Sequence, residues 1–176
     1  MEPLYFVLGI PLAGGAALAL VGHRNAAMEI NVAFSLGTFL ATCVLTAQVV
    51  ENGPQFALGR EFSIDALNVF LVTLTAFVGL TTAIFSRPYM RIERDHGKMT
   101  PPRLRLYHSM YQLFSFTMLL ALTTNNMGIL WVAMEAATLT NNTVVKVAAS
   151  IATHRMPMLF VISASSIAKL NSWYML

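Results

Sequence analysis

Few side chains in this 176-residue chain are equipped for chemistry, and one stands apart from the rest. In the stretch NNMGILWVAMEAATLT, Asn125 to Thr140, every residue from Met127 to Leu139 is apolar or small except Glu135 and Thr138. An acid near the centre of a membrane helix costs roughly 2.5 to 3.5 kcal/mol, and such residues face the bundle interior or water and serve in proton relays. Thr138 follows Glu135 by three residues and so shares its helix face. Ala133 and Ala137 form a small-xxx-small pair on another face, suited to close helix packing in lipid. Two readings of Glu135 follow. One is a neutral acid hydrogen-bonded to a neighbouring helix and otherwise idle, since burial disfavours the charged form of a carboxyl. The other is a proton-relay group, held between burial and the pull of a nearby cation.

The remaining candidates are weaker. The single cysteine, Cys43, lies in an apolar run and reads as a small packing residue. Neither a CxxC nor an HExxH pattern is present, so no iron–sulfur, nickel or structural zinc site, and no cofactor, is expected. The Glu93, Asp95 and His96 cluster sits in a highly charged stretch and reads as solvated. Ser63 and Asp65 stand just before an apolar run, where either is the right type to cap a helix N-terminus.

These residues must be positioned by elements that are mostly apolar. The chain is 56% hydrophobic and 11% charged, with a mean hydropathy of +0.64. Soluble domains carry about 25% charged residues, so the composition implies a polytopic membrane protein. A span needs about 20 mostly apolar residues. Candidate spans run from Leu4 to Val21, with Pro11 as a kink site, and from about Ala26 to Val50. The next two run from Ala66 to Phe85, ended by Arg87-Pro88, and from about Tyr107 to Thr124. A fifth begins near Gly128 and carries Glu135, and a short sixth is placed at Met158 to Leu170. Between the second and third, Glu51-Asn52-Gly53-Pro54 signals a turn, and Gln55 to Phe62 reads as a short extramembrane hairpin or irregular loop. The expected fold is an all-α transmembrane bundle of five to six spans.

Six of the eleven Lys and Arg residues lie between Arg87 and Arg105, against two acids. That stretch reads as a loop, with Pro101-Pro102 forbidding a continuous helix. The positive-inside rule places the loop in the cytoplasm and, with three spans before it, the N-terminus outside. No soluble domain remains to present a basic surface, so nucleic acid is not an expected partner.

Two longer stretches carry a family resemblance. FSIDALNVFLVTLTAFVGLTTAIFSRPYMRIE and YHSMYQLFSFTMLLALTTNNMGILWVAMEAATL resemble the antiporter-like, proton-translocating subunits of respiratory complex I. The resemblance is closer still to the membrane subunit of group 4 membrane-bound hydrogenases, the hydrogenase-4 component F type. It rests on Ile64-Asp65-Ala66-Leu67, on the helix exit Arg87 to Tyr89, and on Trp131-x-x-x-Glu135, and covers about Met1 to Thr140. It implies that Glu135 is the fifth-helix glutamate that pairs with a lysine on a later helix, their changing interaction driving proton movement. It also implies neighbouring membrane subunits and a peripheral hydrogenase or dehydrogenase module as partners, in a bacterial or archaeal cell (inner) membrane. The chain would hold no redox centre of its own.

The family has about fourteen helices arranged as inverted repeats with two broken helices. Five or six spans therefore make this chain a truncated portion of that architecture. Residues 1–140 form the family-like helices, and 141–176 a divergent tail that opens at Asn141-Asn142-Thr143. Lys146 falls on the helix of Glu135 and is not the family's partner lysine. The expected function is that of a membrane subunit, or part of one, coupling electron transfer to proton or sodium movement. The alternatives are a structural membrane anchor and a remnant without transport.

Overall fold

A computed structural model describes residues 2–152 except 23, 25, 59, 60 and 97–99. Five helices make up most of the described residues: α1 (Glu2–Val21), α2 (Ala27–Asn52), α3 (Ala66–Asp95), α4 (Pro101–Thr123) and α5 (Met127–Ala152). Between α2 and α3 a two-stranded antiparallel hairpin, β1 (Gln55–Ala57) and β2 (Phe62–Ile64), pairs Phe56 with Ser63. The fold is the all-α bundle expected, with the hairpin where a short extramembrane element was read. The sixth candidate span, Met158 to Leu170, lies outside the described residues.

Three helices, α1, α2 and α3, are long and apolar enough to cross a membrane on their own composition. The other two are of spanning length, 23 and 26 residues, but hold no continuous stretch as apolar as those of the first three. The distribution of side chains is that of a lipid-soluble bundle. Large apolar groups such as Leu20, Leu40, Val44, Phe70, Phe77 and Phe85 point outward. Inside, Asn31, Ser35, Thr38, Thr42, His108 and Gln112 are buried. Water rewards the opposite arrangement, and an apolar exterior this extensive marks contact with lipid or partner helices.

Helix α1 packs against α2 and α4, α2 also against α3, and α5 against α4. Two apolar clusters hold the ends. At the hairpin end, Leu4 and Val7 meet Leu45, Val49, Phe62, Ile64, Val72 and Leu119, so β1 and β2 plug the bundle. At the other end, Met28, Met90, Leu104 and Tyr107 gather with Val147 of α5. Gly22, after α1, is required by the approach of α4: an added Cβ would lie 2.9 Å from the Arg105 Cα and 2.2 Å from the Leu18 carbonyl oxygen.

The structure corrects the loop read between Arg87 and Arg105. Pro88 does not end α3, which continues to Asp95, and α4 begins at Pro101 with proline in its first turn. The connection is thus confined to 96–100. Proline inside a helix costs about 3 kcal/mol. Burial of Met90 at the α2–α4 junction offsets much of that, since fully burying a methionine contributes roughly 1.5–3 kcal/mol. Ion pairs add a smaller share. Glu29 of α2 accepts from Arg87 Nε at 2.7 Å and from an Arg91 terminal nitrogen at 3.1 Å, fastening the extended end of α3 to the start of α2. All three side chains are partly exposed, so each pair contributes at most about 1 kcal/mol.

Candidate functional site

The start of α5 is fixed before its charged face is presented. Asn126 Oδ1 accepts from the backbone N–H of Gly128 at 2.8 Å and of Ile129 at 3.4 Å, satisfying donors that a helix N-terminus leaves free. Its Nδ2 donates to a Glu61 carboxylate oxygen at 2.7 Å, and the Asn125 N–H donates to the Glu61 carbonyl at 2.7 Å. An isolated antiparallel bridge joins Phe62 to Thr124. The α4–α5 turn is therefore tied to the hairpin, which fixes where α5 starts. Sequence reasoning did not single out Asn126 as a cap. An asparagine directly before an apolar helical run was the available signal for the cap.

Rotation of α5 follows from its small residues. Ala133 and Ala137 are buried, and with Thr140 and Val147 they form the face that packs on α4. The small-xxx-small pair thus makes the close contact read from its spacing. Trp131, Met134, Glu135, Thr138 and Leu139 lie on exposed faces. The Thr138 hydroxyl donates to the Met134 carbonyl at 3.0 Å, so its oxygen keeps acceptor capacity beside Glu135.

Glu135 faces away from the other four helices, and no described residue gives its carboxylate a hydrogen bond or ion pair. It lies in a shallow depression shared with Met127, Leu130, Trp131, Met134 and Thr138. As the ninth residue of α5 it stands roughly 12 Å in from the helix start. Lys146 is on the same helix, eleven residues further, which is roughly 16 Å along the axis and far beyond an ion pair.

The other sequence candidates fall elsewhere. Asp65 is the N-cap of α3: its Oδ1 accepts from the Asn68 N–H at 2.8 Å. Ser63 sits in β2, and its carbonyl, not its hydroxyl, takes the Asn68 Nδ2 at 3.1 Å. Both lie at the hairpin, two elements from Glu135. Among the described residues no group of three His, Cys, Asp or Glu side chains converges as a metal site. In the Glu93, Asp95 and His96 cluster, Asp95 pairs with Arg94 and the His96 Nδ1 meets the Ile92 carbonyl, whereas Glu93 turns inward and is buried.

An apolar exterior and, among the described residues, three helices long and apolar enough to cross a membrane define a polytopic helical membrane protein. No protein-family model matches the chain. A search of curated proteins finds the hydrogenase-4 component F homolog of Methylacidiphilum infernorum (isolate V4), 38% identical over 133 residues. The match takes in 76% of this chain and 27% of the relative. The chain belongs to the hydrogenase-4 component F-like family, in agreement with the resemblance read from its sequence, and spans about a quarter of that relative's length.

Proposed function

We propose that this chain is part of the membrane arm of a hydrogenase-type complex that couples electron transfer to proton or sodium movement, with Glu135 as an ion-relay carboxylate. The observation that carries the reading is the placement of Glu135: exposed from the bundle, roughly 12 Å in from the start of α5, on a face that is apolar but for Thr138. A carboxylate held against lipid tails is expensive, so the face calls for a covering helix that supplies a cation or a proton donor. Lys146 is too distant to serve. The partner belongs to a helix outside residues 2–152, in keeping with a relative nearly four times the aligned length. In this reading residues 1–140 are the family core and 141–176 a divergent tail; α5 itself passes Thr140 and ends at Ala152.

The covering helix is testable. In a background with Cys43 replaced by serine, a cysteine at Thr138 should react with a membrane-permeant maleimide when the chain is expressed alone. In membranes holding the assembled complex it should be protected several-fold. Equal labelling in both would show that nothing covers the Glu135 face.

Orientation is part of the same proposal. The Arg24 turn and the 96–100 connection share one end of the bundle, where Gly22 touches Arg105, and the hairpin with Glu51 and Glu61 occupies the other. The positive-inside rule puts the first end in the cytoplasm. A cysteine at the exposed Thr100 should resist an impermeant thiol reagent applied to intact cells and react once the membrane is opened. Labelling in intact cells would reverse the topology.

A further inference from the structure

Between its two apolar end clusters the bundle encloses a polar seam that the Glu135 face does not touch. Along α2 the residues Asn31, Ser35, Thr38 and Thr42 recur every three or four positions, and each is buried. From α4, Gln112 crosses to meet them. Its Nε2 donates to the Asn31 carbonyl at 3.0 Å, to Asn31 Oδ1 at 2.9 Å and to Ser35 Oγ at 3.1 Å. Beyond Gln112, between Ser35, Thr38, Gly79 and Ser115, is a cavity of about 10 Å³. That is close to the smallest space that admits one water, which takes roughly 10–15 Å³.

One turn from Gln112 on the same face of α4 is His108, with no exposed surface at all. Both of its ring nitrogens lack a hydrogen-bond partner, as does Asn31 Nδ2. A neutral imidazole has one donor and one acceptor, and the amide nitrogen has two donors. Turning the Asn31 amide over does not resolve this, because its NH₂ would then face the donating Gln112 Nε2. The side chain must aim its nitrogen away from Gln112. Buried polar groups in folded proteins are paired with protein or with ordered water, and helices in lipid obey the rule as strictly. A water both donates and accepts, so it suits an amide donor and an imidazole with one nitrogen of each kind.

We propose that His108 and Asn31 hold internal water in this seam, so that α1–α4 enclose a hydrated polar compartment distinct from the Glu135 face of α5. Hydroxyl-radical footprinting with short X-ray pulses in ¹⁸O-water tests it on the full chain in its native membrane. Radicals form from the bound water itself and label the side chains beside it. His108 should be modified although it has no exposed surface. Met28 and Met90, each 1% exposed and intrinsically more reactive, should stay unmodified in their apolar cluster. Replacement of Asn31 by leucine should lower His108 modification several-fold, with Met90 still protected as a sign that the bundle has folded. An unmodified His108 at a dose that labels the exposed Met127 would overturn the proposal, and so would an unchanged His108 rate in the Asn31→Leu chain.

Discussion

The two sides of α5 are built from the same apolar helix, yet they stand in opposite conditions. One side, Ala133, Ala137, Thr140 and Val147, is closed against α4. Its polar member is satisfied within the helix, the Thr140 hydroxyl donating to the Ala136 carbonyl at 2.8 Å. The other side carries Trp131, Glu135 and Thr138 and meets none of the described helices. Small residues allow two backbones to approach, and that side needs nothing more. A carboxylate facing lipid would need something more, because no lipid tail can solvate it. The contrast separates two jobs along one helix: the alanine side holds α5 in place, and the glutamate side, in the function proposed above, is open to a group that none of the described residues supplies.

That separation can be broken or sharpened by substitution. The largest effect on folding should come from Ala137→Leu. Four heavy-atom positions then occupy a contact now made by a methyl group, and overpacking of this kind costs about 1–3 kcal/mol. The expected outcome is a clear drop in the thermal midpoint of the detergent-solubilised chain. An unchanged midpoint would mean that α5 is not held by its alanine side. A smaller loss should follow Asn126→Ala, which removes the α5 cap and the tie to Glu61. Caps of this type contribute about 1 kcal/mol. Hydrogen exchange should speed at Gly128 and Ile129 and remain slow beyond Ala133. Smallest of all should be the folding effect of Glu135→Gln, which removes a charge with no described partner and keeps the side chain's size. Stability should stay within about 0.5 kcal/mol of the parent.

Much of this arrangement was legible in the sequence, for identifiable reasons. The helices announced themselves as long apolar runs, and the Ala133 and Ala137 spacing identified the packing side of α5. The end of α3 was misread because Pro88 and three arginines look like a boundary. Only the contact of Met90 with Met28 and Leu104, residues distant in sequence, reveals why the helix continues. The inward turn of Glu93 from a charged stretch was hidden for the same reason. Glu135 was legible as an exceptional residue from its neighbours alone. That it faces away from α1–α4 was not, because helical spacing states which residues share a face and not which neighbour that face meets. The cross-helix bonds of Gln112 to Asn31 and Ser35 join positions about 80 apart, and no local pattern anticipates them.

In the proposed function Glu135 acts through its charge rather than its shape. Proton release per electron pair in sealed membrane vesicles holding the assembled complex tests that most directly. Glu135→Gln preserves size and hydrogen-bonding ability but has no titratable proton, so it should abolish coupled release while the complex still assembles. Glu135→Asp retains the carboxylate one methylene nearer the backbone and should keep part of the activity. Unchanged release in the glutamine variant would contradict the account and leave Glu135 as a neutral acid bonded to whatever helix covers it.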